Sequence, residues 1–185
     1  MGPKKQKIIA IHEAGHAVIA RVLGLAVPHA AMFSTDGKGG EADAMTRSAS
    51  WLAREGDLAA QLRAFEDNAK VSLAGPYAQS RHQQFGVVTA HRAEWRDDIQ
   101  NAISSVAKAV LLKTDPNFDI TRTRTITLSQ DQKEQVTLLF ERIGEETNKL
   151  VAENWAAIER TAEDLLRLRI ISGDEIDTII AAMKQ

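Results

Sequence analysis

The sequence predicts a mainly α fold with a small β-sheet, an α+β class, on three observations. Apolar residues recur at helical spacing over most of the chain, one short stretch near residues 27 to 47 reads as paired strands around glycines, and no internal repeat or low-complexity tract intervenes. At 185 residues the chain is long enough for one domain with a sizeable core. We expect a single domain over 1–185, with a core at 1–130 that carries the candidate site and a helical C-terminal part at 131–185.

The first helix is expected from about Lys4 to Leu23, stopping at Gly24, with Pro28 preventing continuation. It is apolar almost all round, through Ile8, Ile9, Ile11, Val18, Ile19, Val22 and Leu23, which marks a core helix. Val27 to Phe33 and Glu41 to Arg47 read as two short strands around the turn Ser34 to Gly40. The glycines around Lys38 do not fit the G-x-x-x-x-G-K-[ST] phosphate loop, so a hairpin turn is the simpler reading. From Asp57 to about Arg81, Leu58, Leu62, Phe65, Ala69, Leu73 and Tyr77 mark a second helix, interrupted or bent near Gly75-Pro76.

Phe85 to Val88 begins a connection that reaches Trp95. Ile99, Ala102, Ile103, Val106 and Val110 then mark a third helix, with Asp97 and Asp98 in its favourable first turn, ending at Asp115-Pro116. Phe118 to Ser129 is a polar, Thr/Arg-rich loop with some strand character. Asp131 to Leu168 carries a near-continuous helical period, one very long helix or two in series, and Ser172 with Glu175 forms a capping box that opens a last short helix.

Composition removes several functions. A net charge of −2 without a dense basic run gives no footprint for nucleic acid. There is no cysteine, hence no disulfide framework, thiolate metal site or cysteine nucleophile. No apolar run approaches the ~20 residues needed to span a bilayer, and Lys4, Lys5 and Lys7 lead into no signal-peptide core, so no membrane segment and a cytoplasmic location are expected.

One motif carries chemistry. His12-Glu13-Ala14-Gly15-His16 is an H-E-x-x-H sequence inside the first helix. Positions four apart lie about 40° apart around a helix and ~6 Å apart along it, so His12 and His16 share a face and could bind one zinc. Glu13 projects beside that face, where a carboxylate serves as general base without ligating. The pattern can arise by chance on any helix. Here two histidines and a glutamate inside an apolar helix are costly to bury unless they bind each other, a metal or water. Gly15, a mid-helix glycine costing about 1 kcal/mol relative to alanine, signals close approach of another backbone or a ligand.

A catalytic zinc needs a third protein ligand and an open position. His29, His82, His91, Glu94, Asp97 and Asp98 are the candidates that the residues themselves leave open.

The chain resembles the peptidase domain of the FtsH family of membrane-bound AAA+ zinc proteases. The likeness is carried by His12 to Ala17, the Val27 to Arg47 hairpin, Leu73 to Gln79, Phe85-Gly86, and Asp98 to Ile103. Trp155 to Glu159, Leu165-Leu166 and Ser172 to Ile176 are similar to the family's closing helices. The resemblance implies a zincin-like helical metallopeptidase with a long C-terminal helix, zinc as cofactor, and Asp98 as third ligand beside His12 and His16. Departures are a longer segment before Asp98, holding His91, Arg92, Glu94 and Trp95, and Pro76 and Gln79 where the family has arginine and glutamate. No ATPase module, phosphate loop or membrane segment accompanies these motifs, which implies a freestanding peptidase domain or a piece of a longer protein.

The expected function is a zinc-dependent endopeptidase acting on unfolded or flexible polypeptides, with Glu13 as general base and no ATP requirement. The Gly40 to Thr46 edge would receive an extended peptide. Its partners would be the polypeptide substrate and either further copies of itself or a separate ATPase. A regulatory metallopeptidase of the ImmA/IrrE type would favour a histidine four residues after His16, where Ala20 stands. An inactive peptidase-fold binding or adaptor module is the other alternative. A structural zinc site would be closed by four protein ligands and leaves Glu13 without a task.

Overall fold

In a computed structural model, the structure describes residues 2–32, 41–42, 57–85, 92–119 and 127–184. Six α-helices and three short strands are seen among them: α1 (Pro3–Val22), β1 (His29–Ala31), β2 (Glu41–Ala42), α2 (Leu58–Gln83), α3 (Arg96–Thr114), α4 (Gln130–Glu153), α5 (Trp155–Leu168), β3 (Ile170–Ser172) and α6 (Gly173–Ala182). A 3-10 turn, Ala93–Trp95, leads directly into α3. The expected mainly α chain with a small sheet is what the molecule has. Among the described residues no helix is long and apolar enough to cross a membrane.

Helix α1 starts with Pro3 at a position where the missing N–H costs nothing, and its middle, Ala10 to Ala20, is buried apart from His12, which is partly buried. It packs against α2 on one side and α5 on the other. Gly15 permits the first contact, because a Cβ there would lie 2.7 Å from the Ala78 Cβ and 2.8 Å from the Ala74 carbonyl oxygen. The close approach expected from the sequence is therefore made by the backbone of α2. The Arg21 guanidinium pairs with Asp177, fastening the end of α1 to α6.

Helix α2 is capped by Asp57, whose carboxylate accepts the Ala59 N–H at 2.9 Å. It runs through Pro76 as one helix, so of the expected interruption or bend the interruption is corrected. An interior proline removes one hydrogen bond at a cost of about 3 kcal/mol. Here Leu73, Ala74, Gly75, Pro76 and Ala78 are all buried, and that packing on both flanks holds the helix together.

Three antiparallel strands lie in the order β2-β1-β3. Ala30 faces Ala42 and Ala31 faces Glu41 in the expected hairpin, whose positions 33–40 and 43–47 lie outside the described residues. The partner on the other side, β3, was not expected: Ala30 pairs with Ile171 and His29 with Ser172.

The long C-terminal period resolves into two helices in series. Asn154 separates them, with φ −108° and ψ 18° and its side-chain amide donating to the Leu150 carbonyl at 2.9 Å. Of the two expected arrangements, one very long helix or two in series, the molecule has the second. The capping box of Ser172 and Glu175 forms as expected, and a second box of Ser129 and Gln132 opens α4. The largest apolar cluster joins α1, β1, α5 and α6 through residues such as Ile11, Ile19, Ile158, Leu165 and Ile176, so it unites chain on both sides of position 130. A second cluster packs Leu73, Trp95, Ile99, Val106 and Ile143.

Candidate metal centre

His12 and His16 leave α1 one turn apart on the same face, and their Nε2 atoms stand 3.0 Å from each other. Asp98, in the first turn of α3, faces both: Oδ2 is 3.1 Å from His12 Nε2 and Oδ1 is 3.5 Å from His16 Nε2. One ligand atom from each residue lies within 4.8 Å of the others, so the group could hold a metal ion. It is the one such group found among the described residues.

The opposite edge of each ring is fixed. His16 Nδ1 faces the Val71 carbonyl at 2.7 Å, an acceptor only, so this nitrogen carries the proton. His12 Nδ1 faces Gln79 Oε1 at 3.1 Å. Trp95 Nε1, which can only donate, reaches the same oxygen at 2.9 Å, while the Gln79 amide nitrogen donates to Gln83 and Glu94 at 3.0 and 3.3 Å. That set of partners fixes the amide orientation, and His12 Nδ1–H must donate to it. Each Nε2 is left with a lone pair or, in an imidazolium, a second proton. Two lone pairs 3.0 Å apart beside a carboxylate repel one another. A shared proton or a cation relieves that repulsion, and the donor set of two imidazoles and one carboxylate suits zinc.

Gly75 makes room for this convergence. A Cβ on Gly75 would overlap His16 Nε2 and lie 2.8 Å from His12 Nε2. The backbone of α2 thus forms one wall of the site.

Electrostatics follow the geometry. Burial opposes a positive charge on His16, but the hydrogen bond and charge of Asp98 outweigh it, with help from Glu13 and the Val71 carbonyl, raising the imidazole to about 9. Burial likewise opposes the Asp98 carboxylate charge, yet hydrogen bonds from His12 and His16 hold it well below the usual carboxylate range. Glu13 is 9% exposed on α1, and its charge is felt at His16.

Of the residues singled out by sequence, His12, His16 and Asp98 are brought together, and Glu13 sits beside them. Asp97 is exposed, although it shares the first turn of α3. Glu94 joins Arg92 at 3.2 Å and Gln79, and is no member of the metal group. His29 lies on β1 and His82 near the end of α2, and neither is a member of the group. His91 falls outside the described residues, as do most of the Gly40 to Thr46 edge and Thr121 to Arg124.

The sequence reading missed what Val71, Gly75 and Gln79 do. They are spaced four apart, one stripe of α2, and that spacing beside an H-E-x-x-H helix was the available signal. No protein-family model matches this chain, and no curated protein matches it either.

Proposed function

We propose that this chain is a zinc-dependent endopeptidase of zincin-like architecture, similar to the peptidase domain of the FtsH-type proteases, which hydrolyses peptide bonds in unfolded or flexible polypeptides. One observation carries the reading: His12 Nε2, His16 Nε2 and an Asp98 oxygen converge, with both histidine Nδ1 atoms committed as donors elsewhere. His12, His16 and Asp98 would hold the ion, and three protein donors leave a position for substrate. Zinc, when bound, supplies Lewis acidity toward a peptide carbonyl and a water at neutral pH.

Glu13 performs the proton work. Adjacent to His12 in sequence and near enough for its charge to act on His16, it takes a proton from the attacking water as the C–O bond forms. It passes that proton to the amide nitrogen as the C–N bond breaks, so the amine leaves neutral. The three ligands hold their positions because each imidazole is anchored at its far edge and Asp98 is anchored by α3.

The test is zinc content and cleavage of a casein-type substrate by wild type and Glu13→Gln. About one zinc per chain in both, with cleavage reduced at least about 100-fold in the variant, is expected. Zinc without Glu13-dependent cleavage would replace this reading with an inactive binding module. Absence of zinc from both would remove the metal reading altogether.

A further inference from the structure

The Gln79 side chain connects two ligand-bearing elements through one atom. Its Oε1 accepts His12 Nδ1–H at 3.1 Å and Trp95 Nε1–H at 2.9 Å. His12 belongs to α1. Trp95, fully buried, immediately precedes α3 and stands three residues before Asp98. Gln79 itself is 5% exposed, and its amide nitrogen is held by Gln83 on its own helix and by Glu94 in the turn before α3. Every polar atom of the side chain is therefore engaged, and three elements meet at it.

We infer that Gln79 is a positioning residue for the metal centre, fixing the His12 tautomer and tying it through Trp95 to the turn that aims Asp98. The inference rests on the metal reading above and does not depend on peptidase activity. A buried amide satisfied on all sides has little rotational freedom, so it transmits position between α1 and α3. Partners that orient a ligating histidine typically contribute 10- to 100-fold in metal affinity.

The experiment compares wild type, Gln79→Leu, Gln79→Glu, Trp95→Phe and Thr147→Val. The last removes a buried hydrogen bond to the Ile143 carbonyl, 2.7 Å long and on α4, as a control for lost stability alone. Zinc affinity is read by competition with a chromophoric chelator, and NMR of the metal-free protein reads the slowly exchanging His12 Nδ1–H and Trp95 Nε1–H protons. Gln79→Leu is expected to bind zinc about 10- to 100-fold more weakly and to lose both protected protons. Gln79→Glu keeps the shared acceptor and should retain both protons, while its second oxygen loses the donated bonds to Gln83 and Glu94, so its affinity should fall between those of wild type and Gln79→Leu; Thr147→Val should bind as wild type does. Trp95→Phe deletes one donor while keeping an aromatic ring, and should weaken zinc binding without touching Gln79. Zinc affinity within about twofold of wild type in both Gln79→Leu and Trp95→Phe, or a Thr147→Val as weak as Gln79→Leu, would overturn the inference alone. A wild type with no zinc affinity would take the metal reading down with it.

Discussion

Replacing Gly75 by alanine is a small change with a large expected effect, and the structure supplies its size. By helix propensity alone the substitution should stabilise α2 by about 1 kcal/mol. The new Cβ, however, would overlap His16 Nε2 and lie 2.7 Å from His16 Cδ2 and 2.8 Å from His12 Nε2. Neither ring can simply swing aside, because Val71 holds His16 at 2.7 Å and Gln79 holds His12 at 3.1 Å on the far edges. Overpacking of this kind costs about 1–3 kcal/mol, and each hydrogen bond broken to relieve it costs about 1 more. The net expectation is a metal-free protein destabilised by about 1–3 kcal/mol, a fall in Tm of roughly 2–12 °C at this chain length. Zinc affinity should fall further than stability, since the two Nε2 atoms can no longer converge. The assay is thermal unfolding in chelator together with zinc titration. A Gly75→Ala protein with wild-type stability and wild-type zinc affinity would refute the placement of the histidines against α2.

Other predictions separate the parts of the account. Asp98→Ala should lose metal and activity, whereas Asp97→Ala, exposed in the same turn, should lose only about 0.3–1 kcal/mol of helix-dipole stabilisation; equal zinc loss in both variants would show that the ligand is misassigned. Glu146 bonds Lys70 at 2.8 Å and pairs with Arg142, which together hold its carboxyl below the ordinary value of 4.5. That stabilisation is present above the unfolded value and is lost as pH falls through the lower folded one, so Glu146→Gln should cost up to about 1 kcal/mol at pH 7 and progressively less in acid, as chemical denaturation across pH would reveal. Cleavage should track how readily a substrate unfolds and should not respond to ATP, because for a stable domain at about 5–15 kcal/mol the open fraction is small. Equal Glu13-dependent rates on a stable fold and its destabilised mutant would contradict this passive model.

Much of the fold was legible because its signals are short-range. Helix α1, the capping box at Ser172 and Glu175, and the shared face of His12 and His16 each depend on residues within a few positions of one another. Strand β3 was not legible, since Ile170 to Ser172 is three residues long and becomes a strand by pairing with His29 to Ala31, far away in the chain. Pro76 argued locally for an interruption or a bend, and tertiary burial keeps α2 one helix through it. Asn154 divides the C-terminal period through a side-chain bond to the Leu150 carbonyl, which hydrophobic spacing does not report. At the site, periodicity supplied two members of the candidate metal group, and spacing alone left the third open among six residues. The roles of Val71, Gly75 and Gln79 arise where α2 crosses α1, and a contact between helices has no sequence period of its own.

The central claim is that His12, His16 and Asp98 together hold one zinc ion with a position left open. Zinc-edge X-ray absorption on the stoichiometrically loaded protein tests it most directly. The account predicts two imidazole nitrogens and two oxygens, one from Asp98 and one from solvent, at about 2.0–2.2 Å, with one imidazole lost in His12→Ala. A shell of oxygens alone, or a spectrum unchanged by His12→Ala and Asp98→Ala, would contradict it.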